Sequence, residues 1–364
     1  MVNQTLRMNE TAAGVMANYT DSDETYKNYI RVQLASAVIL VVLSPITVAA
    51  NSLLLTAIYK DPLRCFRTPT TYFIVGLALS DLFTGLLVEP FFIMKYIVQY
   101  KQCGWQMACK TPDIFRALYR VGGIISTIAI SSSFMVVLAL SISQYIAVTF
   151  PHKYKKVVTK YRVIWIVVLS WLYFIVFSLL QFSGIDMYTY LQIDLILHAS
   201  LISLLLAIIH SLLFFSFRRH LSRRYTWRRR SFNAKNDGQR KGSTKDKNRQ
   251  NERQFTIVTF YLAGILLASA TTHSVVLYVY FYHKNRSYKA DIDIHILLRI
   301  SDMMLFLKVA LDPFIYAWRL PAYRKALKYT LVTQTRQCLS NQKDGRLTFL
   351  MMQELSRRKE IATG

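Results

Sequence analysis

The sequence has few acidic residues and lacks the motifs of common enzymes. Its 364 residues include 20 Asp and Glu against 45 Lys and Arg, which gives a formal net charge of +25. It contains no HExxH, no GxSxG, no glycine-rich phosphate loop and no His/Cys cluster at metal spacing. We therefore expect no catalytic residue, no metal and no cofactor, and we do not expect an enzyme. The first 30 residues also lack the apolar block of a signal peptide, so no cleavable leader is expected.

Apolar residues dominate the rest of the chain, at 53% of the total. Seven segments each meet or exceed the roughly 20 apolar residues that a membrane-spanning helix needs. They lie near 33–58, 70–97, 118–147, 162–182, 188–216, 254–282 and 294–318. The sequence thus predicts an all-α membrane protein, a seven-transmembrane helix bundle whose helices 1 to 7 follow that order. We divide the chain into an N-terminal segment, 1–30, the bundle, 31–319, and a short amphipathic helix 8 with a tail, 320–364.

Lys and Arg concentrate in alternate loops, which places those loops in the cytosol by the positive-inside rule. These are the loops after helices 1 and 3 and the basic, flexible loop 218–253 between helices 5 and 6. The Asn-X-Ser/Thr sequons fall on the opposite side, at Asn3, Asn9, Asn18 and Asn285. We therefore predict a multi-pass plasma-membrane protein with a glycosylated extracellular N-terminus and a cytoplasmic C-terminus.

The basic excess has a membrane explanation. Anionic lipid headgroups attract each basic residue by about 1 kcal/mol, so we expect contact with anionic lipids and none with nucleic acid. Loop 218–253 is either a solvated, lipid-facing linker or a partner-binding segment.

The cysteines divide between the two sides of the membrane. Cys103 and Cys109 lie in the predicted extracellular loop before helix 3, where oxidation is permitted and a disulfide can close a small loop. Cys338 follows the amphipathic stretch after helix 7 and is either a palmitoylation site or a plain surface thiol.

Several predicted spans carry polar or charged residues at membrane depth. Asn51, Asp81 and Asp312 each interrupt an apolar run. Ionisable groups at this depth usually face the bundle interior and belong to a functional pathway. We expect Gly122 and Gly123, by contrast, to serve helix packing.

Motifs in chain order support a family assignment for residues 31–335. Helix 1 contains Asn51, helix 2 has the Leu-Ala-x-x-Asp pattern that ends at Asp81, and helix 4 contains Trp171. Helix 3 ends in SISQYIAVTFPHKY, and helix 7 ends in DPFIYAWRLPAYRKAL. This chain resembles the rhodopsin-like (class A) G-protein-coupled receptors, with Asp in the Asn position of their NPxxY motif. The resemblance implies an extracellular ligand and a heterotrimeric G protein, with arrestin as a further partner. An alternative is a seven-helix receptor that binds ligand or arrestin without activating a G protein.

The resemblance also implies a signalling switch, which departs from the family pattern at the base of helix 3. The switch positions are Asn51, Asp81, Ser133, Ser143, Gln144, Tyr145, Lys308, Asp312, Pro313 and Tyr316. Ser143-Gln144-Tyr145 stands where the family has Asp-Arg-Tyr, so Glu252 in helix 6 has no cationic partner there. Because the family's charge-assisted bond is worth roughly 1.5–3 kcal/mol, its loss predicts high basal activity or poor G-protein coupling.

Other departures fall in helices 3, 5 and 6. Helix 6 reads LASATTH where the family has Cys-Trp-x-Pro, helix 5 has no Pro, and Tyr119 replaces the family's helix 3 Cys. The missing Pro of helix 5, the missing disulfide and the Asp-Pro of helix 7 are similar to the melanocortin-like branch of the family.

Lys308 lies one helical turn before Asp312, so both side chains should share one face of helix 7. In the family this face, with the helix 2 Asp and a helix 3 Ser, holds a sodium ion, and Asp81, Ser133 and Asp312 match three of those positions. We predict that the Lys308 ammonium replaces the sodium ion. The alternative is a lysine that snorkels to the membrane interface.

The ligand is less defined by the sequence. Ser126 occupies the helix 3 position where amine receptors of the family carry Asp, so a biogenic amine is disfavoured. The candidate ligand-binding residues are Glu89, Arg116, Arg120, Ser126, His198, His273, Arg299 and Asp302. The arginines can meet a carboxylate or phosphate of the ligand, or they can form structural ion pairs with nearby Asp residues.

Overall fold

A computed structural model describes the backbone at residues 2–61, 66, 68–103, 113–233, 244–283, 286–321, 323–330 and 332. The side chains of 2–23, 102–103, 113–117, 119, 220–233 and 244–253 lie outside this description. The predicted disulfide, palmitoylation site and sequons fall on residues that are wholly or partly outside it, namely Cys103, Cys109, Cys338, Asn3, Asn9, Asn18 and Asn285.

Seven long helices follow one another along the described chain. Helix 1 spans Val2–Lys60, helix 3 Asp113–Thr149, helix 4 Lys160–Leu179, helix 6 Thr244–Tyr282 and helix 7 Tyr288–Arg319. Helix 2 runs from Pro69–Phe83 through a π-helical turn, Thr84–Val88, into Glu89–Cys103. Helix 5 likewise joins Met187–Asp194 to Ser203–Asn233 through a π-helical segment, Leu195–Ile202. A short helix, Pro151–Val157, lies between helices 3 and 4.

Six of the described helices are long and apolar enough to cross a membrane, and they correspond to helices 1 to 6. Helix 7 has 32 residues and is therefore also long enough. It differs from the others in carrying Arg299, Asp302, Lys308 and Asp312 along its middle. With these charges turned into the bundle, as described below, the seven-helix fold predicted from the sequence is confirmed.

Helix 3 lies at the centre of the bundle. It contacts helices 2, 4, 5 and 6, while helix 1 packs against helices 2 and 7, and helix 7 packs against helix 6. Val137 and Leu140 of helix 3 join Leu262 and Leu266 of helix 6 in the main apolar core. The outward surfaces are apolar too, as on helix 4, where Trp165 is 62% exposed. Such an exposed apolar belt is what a lipid environment requires.

The π-helical turn of helix 2 brings helix 1 unusually close. The Ser44 hydroxyl donates a hydrogen bond of 2.9 Å to the Gly85 carbonyl. A Cβ atom at Gly85 would lie 2.9 Å from the Thr47 methyl group. Because real Cβ contacts are longer than this, glycine is what permits the approach of the two helices.

Gly122 has the packing role that the sequence predicts, and its neighbour does not. A Cβ atom on Gly122 would overlap the ring of Phe91 in helix 2, whereas one on Gly123 would meet nothing within 4 Å. Only Gly122 is therefore needed for the contact between helices 2 and 3.

Helix 8 follows helix 7 and is amphipathic, as predicted. Residues 323–330 are helical, and Tyr323, Ala326 and Thr330 are buried while Arg324 and Lys325 are exposed. The Tyr323 ring packs edge-on against Phe66, with their centroids 6.4 Å apart. Helix 8 is thus held against the start of the segment that leads into helix 2.

Candidate functional site

A buried charge cluster joins helices 2, 3 and 7 in the middle of the bundle. The Lys308 Nζ lies 2.8 Å from an Asp312 carboxylate oxygen and 3.8 Å from an Asp81 carboxylate oxygen. It also donates a hydrogen bond of 3.0 Å to the Ser133 hydroxyl. Each of the four residues is at most 3% exposed. Lys308 therefore faces the interior and does not extend to the membrane interface.

The other switch residues of helices 1 and 7 are buried near this cluster. Asn51 is fully buried and donates a hydrogen bond of 3.0 Å to the Thr47 carbonyl of its own helix. Pro313 and Tyr316 are buried in the same part of helix 7. The hydroxyl of Tyr316 has no hydrogen-bond partner among the described residues.

At the predicted cytoplasmic end, a neutral hydrogen bond joins helix 3 to helix 6. The Thr256 hydroxyl donates to the Gln144 side-chain carbonyl over 3.2 Å, and both residues are 2% exposed. Ser143 is buried beside Gln144, while Tyr145 is half-buried. The side chain of Glu252 lies outside the described residues, so Thr256 is the partner of Gln144 that the structure identifies. Helix 6 is thus packed closely against helix 3 at this end.

Two further contacts tie the same end together. Arg319 at the end of helix 7 donates a hydrogen bond to the Tyr261 hydroxyl of helix 6, and its guanidinium lies 4.4 Å from the Tyr261 ring centroid. The hydroxyls of Tyr154 and Thr70 lie 3.0 Å apart and connect the short helix after helix 3 to helix 2. The ends of helices 3, 6 and 7 are therefore held in one packed arrangement.

At the opposite end, Asp302 is the centre of a polar cluster. Arg299 Nη1 lies 3.1 Å from Asp302 Oδ2, and the Tyr96 hydroxyl of helix 2 donates to the same oxygen over 3.5 Å. His273 of helix 6 lies 3.5 Å from the other carboxylate oxygen and 2.9 Å from the Ser301 hydroxyl. The structure therefore brings together three of the candidate ligand-binding residues, Arg299, Asp302 and His273.

The remaining ligand-binding candidates lie elsewhere. Glu89 is fully buried and accepts a hydrogen bond of 3.2 Å from Thr47 of helix 1. His198 is also buried and lies 2.7 Å from Asp194 and 2.9 Å from the Tyr173 hydroxyl of helix 4. Both side chains are held by contacts within the bundle, and their role in ligand binding stays a prediction.

The last three candidates are Ser126, Arg120 and Arg116, and the first two are not part of the clusters described above. Ser126 is half-buried on helix 3, and Arg120 on the same helix is exposed. The side chain of Arg116 lies outside the described residues.

Comparison with known proteins decides the family. Residues 50–316 match the family described as 7 transmembrane receptor (rhodopsin family). The chain belongs to this family. The rhodopsin-like resemblance predicted from the sequence is thereby confirmed, and the protein is a multi-pass membrane receptor by family.

The relatives of this receptor share only part of their length with it. A dopamine D2-like receptor of Drosophila melanogaster is 32% identical over 135 residues, which are 37% of this chain and 14% of that protein. The histamine H2 receptor of Canis lupus familiaris is 33% identical over 149 residues, 41% of this chain and 38% of that protein. A melanopsin of Branchiostoma belcheri is 30% identical over 123 residues, 34% of this chain and 16% of that protein. The receptor thus spans well under half the length of these relatives, and its likeness to the melanocortin-like branch remains a prediction.

Several contact residues were missed by the sequence analysis. Tyr96 and Ser301 complete the cluster around Asp302, and Thr256, Tyr261 and Arg319 fasten helix 6. One usable signal existed: Thr256 lies four residues after Glu252 and therefore on the same face of helix 6. Tyr96 and Tyr261 carry no comparable signal, because aromatic residues are abundant in every span.

Proposed function

We propose that this receptor binds an extracellular ligand at the Asp302 end and signals to a heterotrimeric G protein at the Gln144 end. The buried Gln144–Thr256 hydrogen bond is the observation that carries the proposal, because it closes the surface between helices 3 and 6. A signal that separates these two helices has to break this neutral bond. A neutral hydrogen bond contributes about 0.5–1.5 kcal/mol, against roughly 1.5–3 kcal/mol for one to a charged group. We therefore expect ligand-free activity.

The test compares ligand-free second-messenger output of the wild type and Gln144→Arg at matched surface levels. We expect wild-type output above that of mock-transfected cells. Arginine restores a cation that can pair with an acidic group of helix 6, so Gln144→Arg should lower basal output or strengthen the stimulated response. If the substitution changes neither, the proposed role of Gln144 is wrong.

The alternative function is a receptor that binds ligand or arrestin without activating a G protein. The neutral Gln144 favours this alternative, since the family position holds an arginine that faces the G protein. An arrestin-recruitment assay run on the same cells separates the two functions. Arrestin recruitment by a wild type that produces no second messenger, together with second-messenger output from Gln144→Arg, would support the alternative.

The ligand is proposed not to be a biogenic amine, although two of the relatives are named dopamine and histamine receptors. An amine needs a carboxylate partner. Asp302 is already paired with Arg299 and Tyr96, and Glu89 is fully buried against helix 1. Dopamine and histamine should therefore leave the output of the wild type unchanged. A response to either amine that Asp302→Asn abolishes would contradict this proposal.

We also propose that the N-terminus is extracellular and the C-terminus cytoplasmic in the plasma membrane. The alternation of basic loops supports this orientation. An epitope tag at the N-terminus should be stained on intact cells, and a C-terminal tag only after permeabilisation. Digestion with an N-glycosidase should increase the electrophoretic mobility of the protein. A C-terminal tag stained on intact cells would reverse the assignment.

A further inference from the structure

The charge cluster in the middle of the bundle has the composition of a cation site that is already filled. Its oxygen groups come from three helices: Asp81 of helix 2, Ser133 of helix 3 and Asp312 of helix 7. All three are at most 3% exposed. Carboxylate and hydroxyl oxygens are the groups that hard metal cations take as ligands. The fourth member is the Lys308 ammonium, within 3.8 Å of a polar oxygen of each of the other three residues.

We propose that the Lys308 ammonium is the resident cation of this site, and that the receptor is consequently insensitive to free sodium ions. The two carboxylates carry opposite charge to the ammonium, and nothing else in the contacts described above neutralises them. A lysine on helix 7 supplies that positive charge through a covalent tether. Its occupancy of the site therefore does not depend on the concentration of any ion.

A second cation has no favourable place in the same site. The ammonium already contacts both carboxylates, so a metal ion bound to either would lie within a few Å of it. Two unit charges 4 Å apart repel by roughly 4 kcal/mol at an effective dielectric constant of 20. This repulsion disfavours the binding of sodium to either carboxylate while Lys308 is present.

Removal of the ammonium should convert the cluster into a site for a free cation. The carboxyl groups of Asp81 and Asp312 and the hydroxyl of Ser133 then face one another in the bundle interior with no cation among them. A ligand that binds only the folded state stabilises it by an amount that rises with the logarithm of the ligand concentration above its dissociation constant. Sodium should thus stabilise a variant that lacks Lys308 and should not specifically stabilise the wild type.

The test measures the apparent Tm of the purified full-length receptor in lipid nanodiscs. Sodium chloride is titrated against choline chloride at constant ionic strength, so that only a specific effect of sodium appears. We expect no sodium-specific shift for the wild type. For Lys308→Asn we expect a lower Tm in choline and a concentration-dependent rise of several degrees in sodium. The double variant Lys308→Asn with Asp312→Asn should lose most of that rise, because one carboxylate ligand is gone.

Two controls keep the test decisive. Lys325→Asn removes an exposed lysine of helix 8, outside the cluster, and should not create a sodium effect. Lys308→Arg keeps a cation in the cluster and should remain insensitive to sodium even if Lys308→Asn fails to fold. A sodium-specific rise in the wild type would overturn the proposal, as would a folded Lys308→Asn that does not respond to sodium. The measurement needs no signalling, so a receptor that fails to activate a G protein leaves its outcome unaffected.

Discussion

Replacement of Thr256 by Val should release helix 6 from helix 3. Valine matches threonine in size and lacks the hydroxyl that donates to the Gln144 carbonyl over 3.2 Å. Gln144 is 2% exposed, so water cannot replace the lost donor while the two helices remain packed. A buried acceptor left without a partner costs about 1–3 kcal/mol. In an arrangement that separates helices 3 and 6, the Gln144 amide reaches water and this cost disappears.

The cost of the unpaired Gln144 acceptor, which is present only while helices 3 and 6 are packed, sets the size of the shift toward the separated arrangement. A free-energy change of about 1–3 kcal/mol shifts an equilibrium between two arrangements roughly 5- to 150-fold. Thr256→Val should therefore raise ligand-free second-messenger output at matched surface levels. It should also lower the apparent Tm of the packed receptor. Thr256→Ser is the control, since it keeps the hydroxyl and should behave like the wild type in both assays.

One result would refute the reasoning. If Thr256→Val leaves both the basal output and the apparent Tm of the receptor unchanged, the Gln144–Thr256 bond does not hold the two helices together. A lower Tm without higher output would have a narrower meaning: the bond stabilises the fold but its rupture does not open a productive surface. That second outcome would favour the receptor class that does not activate a G protein.

Two further substitutions test helix contacts at the two ends of the bundle. Arg319→Ala removes the contacts of the helix 7 end with Tyr261 and should raise basal second-messenger output. Arg319→Lys should bring the basal output only part of the way back to the wild-type level, because lysine lacks the planar guanidinium. Unchanged basal output from Arg319→Ala would contradict this role. Gly122→Leu should lower the apparent Tm by several degrees, because the new side chain would overlap the Phe91 ring. Gly123→Leu is the matched control and should have little effect on the apparent Tm. An equal decrease of the apparent Tm in both variants would contradict the packing role of Gly122.

The sequence predicted the features that depend on local spacing. Long apolar runs locate the helices because a bilayer requires roughly 20 apolar residues in each span. The spacing of Lys308 and Asp312 predicts their contact, since residues four apart share one face of a helix. The polar face of helix 7 lowers its overall apolarity, yet those same polar residues identify which side of the helix faces the bundle.

Contacts that depend on helix rotation and depth could not be predicted in this way. The ligand-binding role of Glu89 stays a prediction, but its contact with Thr47 of helix 1 could not be foreseen from the sequence. The π-helical turn Thr84–Val88 precedes Glu89. Each extra residue in such a turn rotates the following side chains by about 100°, and neither glycine nor proline content alone predicts where it occurs. Thr256 was missed for a related reason, because its position opposite Gln144 depends on how far helix 6 extends along helix 3.

Helix 7 is one element through which the two ends of the receptor can influence each other. At the Asp302 end it contacts helices 2 and 6, in the middle Lys308 connects it to helices 2 and 3, and at the far end Arg319 fastens it to helix 6. Pro313 follows directly after Asp312 and cannot donate the helical hydrogen bond at that position, so the helix lacks one backbone restraint there. The contacts of Lys308 therefore restrain the part of helix 7 before Pro313, while Arg319 restrains the part after it. Movement of helix 7 at Asp302 can reach helix 6 at the Gln144 end if one of these two restraints yields, and the contact of His273 with Asp302 offers a second route along helix 6. Single and paired substitutions of Lys308 and Arg319 measure the energetic coupling between the two ends.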